Sequence, residues 1–203
     1  MNIGIYGGTF NPIHCGHIHI LNAFIDMLEL SQIIVIPTAQ PPHKTAQPLA
    51  PGADRLRMCE IAAGQMKAAD VLVSDMELRR GGRSYSSDTL RELHAQYPKD
   101  CLHFLMGEDM FLTVENWHEA ETVMRLAVLC ASPRSADGFH RLREHAEFLE
   151  TCYGARTRIA DIPYMPVSST EIRKKIGRGE DVAWLLPLGV PAYIKKRKLY
   201  QGG

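Results

Sequence analysis

The sequence predicts an α/β fold: a Rossmann-like, doubly wound parallel sheet with a small helical segment towards its C-terminus. Three observations carry that prediction. Short runs rich in β-branched residues and bounded by Gly or Pro recur along the chain, as in strands buried on both faces. Between them lie stretches whose apolar residues are spaced three and four apart, as on one face of a helix. The two patterns alternate, which implies right-handed βαβ crossovers and a mostly parallel sheet.

Taken in order, Ile3, Ile5 and Tyr6 open the first strand, QIIVIP (32–37) is the second and DVLVSDMEL (70–78) the third. LHFLMG (102–107), AVLCAS (127–132) and RIADIPY (158–164) are the remaining three. Ile18, Leu21, Ile25 and Leu28 mark the helix after the first strand. Leu56, Cys59, Ala63 and Met66 mark a second, and Leu90, Leu93 and Tyr97 a third. Residues 134–157 read as a polar excursion with a short helix at 140–150. SSTEIRKKIGRG and VPAYIKKRKLY read as two closing helices with no strand between them. The expected organisation is one domain over 1–203, with a core over 1–165 and a helical part over 166–203.

Composition excludes several classes. Of 203 residues, 23 are basic and 23 acidic, with a pI near 7.1, so no polybasic field advertises nucleic acid or an anionic membrane. No run approaches the roughly 18 apolar residues of a membrane span, and the chain opens on NIGIYGG without a leader, so a cytoplasmic protein is expected. The five cysteines (15, 59, 101, 130, 152) are odd in number and include no CxxC pair, which fits free thiols in a reducing compartment. Monomer and homodimer both remain open.

In open α/β sheets, ligands sit at the carboxyl ends of the strands, so the residues leaving each strand matter most. The first strand leads into GGTFNPIHCGHIH (7–19). Gly7 and Gly8 allow a sharp turn and close approach of a ligand, and Asn11-Pro12 is a turn pair. A helix must then start near residues 13–15, with His14 and His17 neighbours in its first turn. Unpaired N–H groups and the positive dipole end there attract phosphate, and that dipole disfavours a permanent imidazolium. A solvated turn and a metal site from His14, His17 and His19 are the competing readings; no further cluster supplies metal ligands, and His19 lies around the helix, towards the surface. The spacing is neither a GxGxxG fingerprint nor a Walker loop.

The later strand exits add polar groups. PTAQPPHK presents His43 and Lys44 from a loop stiffened by prolines. In GRSYSSDTL (82–90), Ser86, Ser87 and Asp88 cap a helix, and its N–H groups can also face a carboxylate. In MGEDMFLTVENW (106–117), Gly107 admits a ligand, Asp109 suits a ribose, and Trp117 is either core or a stacking platform. In VSSTEIRKK (167–175), Ser168 and Glu171 form a capping box; Ser168, Ser169 and Arg173 also suit phosphate, with Glu171 turned off the ligand.

GGTFNPIHCGH resembles the GGTFDPxHxGH signature of the HxGH nucleotidyltransferases, which join a nucleoside monophosphate to a phosphate acceptor. With PPHK, GRSYSSDTL, GEDMFLTVENW, VSSTEIR and LLPLGVPAYIKKRKLY, the chain from Ile3 to Tyr200 resembles the nicotinate-nucleotide adenylyltransferases of that superfamily, apart from the 134–157 region. The resemblance implies adenylyl transfer from ATP to nicotinate mononucleotide, giving deamido-NAD and pyrophosphate, with Mg2+ carried by the phosphates. It implies that His14 and His17 contact ATP phosphates, His17 being the group at the α-phosphoryl, and that Lys44 and His43 help grip the phosphates. Gly7, Gly8, Thr9, Phe10, Gly107 and Asp109 would line the nucleotide site, and Ser168, Ser169 and Arg173 would hold the β,γ-phosphates. Tyr85 and Ser86 amides would read the nicotinate carboxylate, with Thr89 beside them and Trp117 stacked on the pyridine.

Two departures stand out. Asn11 replaces the signature Asp, and ASPR stands where the family tends to show Arg-Pro-Gly, so Arg134 would supply an adenine-side guanidinium from a shifted position. The alternatives are a preference for nicotinamide mononucleotide or phosphopantetheine, or a non-catalytic nucleotide sensor on the same fold.

Overall fold

A computed structural model describes residues 1–41, 49–68, 70–135 and 137–201. Its elements in order are β1 (Asn2–Gly8), α1 (Cys15–Leu28), β2 (Gln32–Pro37), α2 (Gly52–Ala63), β3 (Asp70–Val73), α3 (Met76–Arg80) and α4 (Ser86–Gln96). They continue with β4 (Cys101–Gly107), α5 (Glu108–Phe111), α6 (Ala120–Leu126), β5 (Val128–Ser132), α7 (Gly138–Tyr153), β6 (Arg156–Ile159), α8 (Ser169–Gly177) and α9 (Val190–Arg197). The six strands form one parallel sheet in the order β3-β2-β1-β4-β5-β6. This is the α/β, Rossmann-like arrangement the alternation predicts.

Alternation within the strands divides the core into two apolar layers. Ile3, Ile5, Ile34 and Leu129 face α4, α6 and α7 through Leu90, Val123 and Leu142. Tyr6, Ile33, Val35 and Cys130 face the other side, where α1, α2, α8 and α9 contribute Leu21, Met58, Ile172 and Ile194. Burial on both faces explains why the strands read as nearly unbroken apolar runs. The two closing helices therefore pack on the sheet itself. Tyr193 and Arg197 of α9 also donate to the buried Asp54 carboxylate of α2 at 2.7 and 2.8 Å, which holds that carboxyl below its usual range.

Three expectations change. DVLVSDMEL is not one strand: it ends at Val73, and α3 begins at Met76 once Ser74 Oγ has accepted the Met76 N–H at 3.3 Å. RIADIPY is a strand only to Ile159, and β6 begins earlier, at Arg156; this edge strand pairs with β5 alone, and Pro163 has no N–H to extend the ladder. Residues 134–157 are not an excursion with a short helix. They hold the sixteen-residue α7, the crossover from β5 to β6, whose Leu142, Ala146 and Leu149 are buried. Its apolar stripe is one residue wide and flanked by charges, which hid its length. α5 and α6, four and seven residues long, are too short to show a periodicity in the sequence. No helix among the described residues is long and apolar enough to cross a membrane, and all five cysteines are free thiols.

Candidate active site

The strand order reverses between β1 and β4, and the crevice outside their carboxyl ends is where such a sheet holds a ligand. The chain leaving β1 builds one wall. Phe10 sits at φ 44° and the Asn11-Pro12 peptide is cis. This turn is held by groups from distant elements. Arg55 of α2, 2% exposed, donates to the Thr9 carbonyl at 2.8 Å and the Ala50 carbonyl at 3.1 Å. From α8, Arg173 donates to the Asn11 carbonyl at 2.8 Å and Ser169 Oγ to the Pro12 carbonyl at 2.9 Å. Asn11 Oδ1 accepts from the Ala50 N–H at 3.0 Å and from the Tyr200 hydroxyl at 2.9 Å. Burial pushes the Tyr200 phenol well up, so it remains a donor. The carboxamide oxygen thus meets both donors.

His14 is the N-cap of α1, and its backbone N–H donates to Nδ1 of His17 at 3.1 Å. A ring nitrogen that accepts carries no proton, so the neutral His17 ring carries its proton on Nε2. The two rings stack with centroids 3.6 Å apart and 24° between planes. Burial, and secondarily the Arg134 charge, lowers the His14 pKa to about 4. Burial therefore favours the neutral imidazole, and its buried Nδ1 has no hydrogen-bond partner among the described residues. His19 lies towards the surface, half-buried, and donates through Nε2 to the Pro163 carbonyl at 2.8 Å.

Two clefts open from this wall. The larger, about 850 Å³, is lined by His14, His17, Ser168, Ser169, Arg134 and Arg173 among others, and none of its described lining residues is acidic. Ser168 caps α8 by accepting the Glu171 N–H at 3.2 Å, while the Glu171 carboxylate turns to Lys174, as expected. The smaller, about 210 Å³, is lined by Gly7, Gly8, Phe10, Tyr85, Ser86, Thr89, Gly107 and Trp117. Trp117 packs edge-on against Phe104 and also lines this cleft. Tyr6, Thr9, His17, Pro41 and Arg134 border both clefts.

Not every candidate converges here. Asp109 lines neither cleft, and its carboxylate binds Arg134 at 2.9 Å. His43 and Lys44 lie outside the described residues. Sequence reasoning missed Arg55, which looks like any polar residue beside a helical stripe, and Glu77, hidden inside a stretch read as strand. Glu77 is 6% exposed, lines the smaller cleft and accepts the Thr89 hydroxyl at 2.8 Å; burial pushes its carboxyl up. His118 was also missed, and its ring lies 4.3 Å from that of Tyr85.

Comparison with known proteins agrees with this geometry. The family model for cytidylyltransferase-like proteins matches residues 5–175. The protein named "Probable nicotinate-nucleotide adenylyltransferase" in Citrifermentans bemidjiense is 37% identical over 214 residues, covering 98% of each chain. The protein of the same name in Neisseria meningitidis is 36% identical over 201 residues, again covering 98% of each. Among solved structures, the Plasmodium falciparum nicotinic acid mononucleotide adenylyltransferase complexed with NaAD superposes with a TM-score of 0.80 at 20% identity, over 98% of this chain and 97% of that one. Matched end to end by such relatives, the chain belongs to the cytidylyltransferase-like family and, within it, to the nicotinate-nucleotide adenylyltransferases.

Proposed function

We infer that the protein transfers the adenylyl group of ATP to nicotinate mononucleotide, releasing pyrophosphate and forming deamido-NAD. The observation that carries this reading is the pair of clefts meeting at His17: one lined by hydroxyls and cations, the other by glycines, an aromatic ring and a helix start. In this reading the triphosphate occupies the larger cleft. Ser168, Ser169 and Arg173 bind the β,γ-phosphates, and His14 and His17 the phosphates near the α-position. The mononucleotide enters the smaller cleft, with its carboxylate on the Tyr85 and Ser86 amides beside Thr89, and its pyridine on Trp117. His43 and Lys44 complete the phosphate grip.

The mononucleotide's phosphate oxygen attacks the α-phosphorus in line. One P–O bond forms, the bond to the bridging oxygen breaks, and the electron pair leaves with pyrophosphate. No protein nucleophile is needed, so positioning and charge stabilisation supply the catalysis. A neutral His14 binds phosphate as a hydrogen-bonding ring rather than as a fixed cation, and His17 presents Nε2–H to the charge that grows on the α-phosphoryl oxygens. Magnesium belongs to the same reading. The larger cleft shows no acidic residue among its described lining, so the ion would be held through the substrate phosphates rather than by side chains, and there it would neutralise charge on the leaving pyrophosphate.

The deciding experiment supplies ATP and magnesium with each mononucleotide and measures pyrophosphate. Clear preference for nicotinate mononucleotide is expected; equal or better turnover of the nicotinamide form overturns the specificity, and no turnover with either supports a nucleotide sensor.

A further inference from the structure

Arg134 follows β5, and its guanidinium lies across Gly107, the last residue of β4. A Cβ on that glycine would stand 2.8 to 3.0 Å from Nη2, Nε and Cζ, so the absent side chain leaves the slot in which the guanidinium lies. Gly107 pairs with Ser132 across the sheet, which puts this slot at the carboxyl end of β4 and β5, beside the point where the strand order reverses. We propose that Arg134 is a catalytic residue whose guanidinium bridges the two phosphates of the reaction, the α-phosphoryl group of the donor and the phosphate of the attacking mononucleotide. The proposal rests on the adenylyl-transfer reading and assigns Arg134 to the transfer itself rather than to adenine.

Four observations support it. Arg134 borders both clefts, and of the five described residues that do so it alone is a permanent cation. Its backbone is fixed while its side chain is lightly held. The N–H donates to the buried Glu108 carboxylate at 2.7 Å, which also pairs with Arg141 at 3.2 Å. The guanidinium pairs at 2.9 Å with Asp109, and both partners are substantially exposed, an ion pair that an incoming phosphate can displace. Burial raises the Tyr6 phenol to about 12 against the Arg134 charge, and burial lowers His14 with that charge acting in the same direction, so the field of Arg134 reaches the walls on either side of the junction.

The chemistry asks for such a group. Two anions must approach before the new P–O bond forms, and a planar guanidinium offers five N–H donors in a fork that serves two phosphates at once. A lysine is a point charge and cannot bridge in that way. Arg134 stays protonated throughout; it gives up no proton, and the leaving pyrophosphate takes the electron pair.

The test measures kcat and both KM values with ATP and nicotinate mononucleotide for the wild type, Arg134→Gln, Arg134→Lys and Gly107→Ala, alongside thermal unfolding. Arg134→Gln is expected to lose kcat on the order of a hundredfold or more, as for one lost oxyanion donor, with smaller changes in KM. Arg134→Lys recovers part of that loss. Millimolar guanidinium ion restores turnover to Arg134→Gln and not to the wild type, a rescue that a merely structural role would not show. Gly107→Ala keeps the charge but pushes it from its slot, so kcat falls while the unfolding midpoint holds. Unchanged kcat in Arg134→Gln, or a loss confined to one KM, overturns the proposal. A wild type inactive with every mononucleotide instead removes adenylyl transfer, and this proposal with it.

Discussion

Acidification tests the neutral state of His14. In the unfolded chain the imidazole takes up its proton near pH 6.5; in the folded protein, burial against the His17 ring and the nearby Arg134 guanidinium delay this to about pH 4. Between those values the unfolded state holds one more proton than the native state, so lowering the pH stabilises the unfolded chain. Stability is therefore highest above pH 6.5 and is lost as the pH falls. One pH unit across the window is worth about 1.4 kcal/mol, so this single group costs about 2 kcal/mol by pH 5 and about 3 kcal/mol by pH 4. The assay is urea unfolding at pH 7.5, 6, 5 and 4.5 for the wild type and for His14→Asn, which retains a good N-cap residue. The remaining histidines are common to both, so the difference in pH dependence isolates His14. Parallel curves, or an NMR titration placing the His14 ring near pH 6.5, would refute the reasoning.

The same contacts set further outcomes. His17→Ala should retain its fold and most ATP binding while turnover falls on the order of a hundredfold, measured by pyrophosphate release; full activity removes His17 from the mechanism. Asn11→Ala strips the acceptor from the Ala50 N–H and the Tyr200 hydroxyl and should cost about 2 kcal/mol in urea unfolding, whereas Asn11→Asp, which keeps an acceptor for both donors, should cost much less. Trp117→Ala should raise the mononucleotide KM roughly tenfold and leave that for ATP unchanged, since this ring lines only the smaller cleft.

The turn after β1 was legible because its signals are contiguous. Adjacent glycines, a turn proline and two histidines three apart occupy one short stretch, and the start of α1 at Cys15 falls where that stretch requires it. Ser168 was legible for the same reason: its cap acts on an N–H three residues away. Glu77 was not, since a strand ending at Val73 and a helix starting at Met76 look like one apolar run until the sheet edge is known. Arg55 was not either, because its partners are carbonyls at Thr9 and Ala50, and nothing about a helical arginine announces them.

By itself, the sequence determined the parallel α/β class, the strand exits that border the clefts, and the His14–His17 pair at a helix start. These depend on periodicity, glycine and proline stereochemistry, and capping, all of which act within a few residues. Only the tertiary structure decided that Asn11 is an anchored acceptor, that His14 is neutral, that His19 is a tether to Pro163, and that Arg134 lies in the slot of Gly107 between two clefts. Each of those depends on burial or on a partner far away in the chain. Desolvation and charge are set by what the fold packs together, and no local stretch of sequence contains that information.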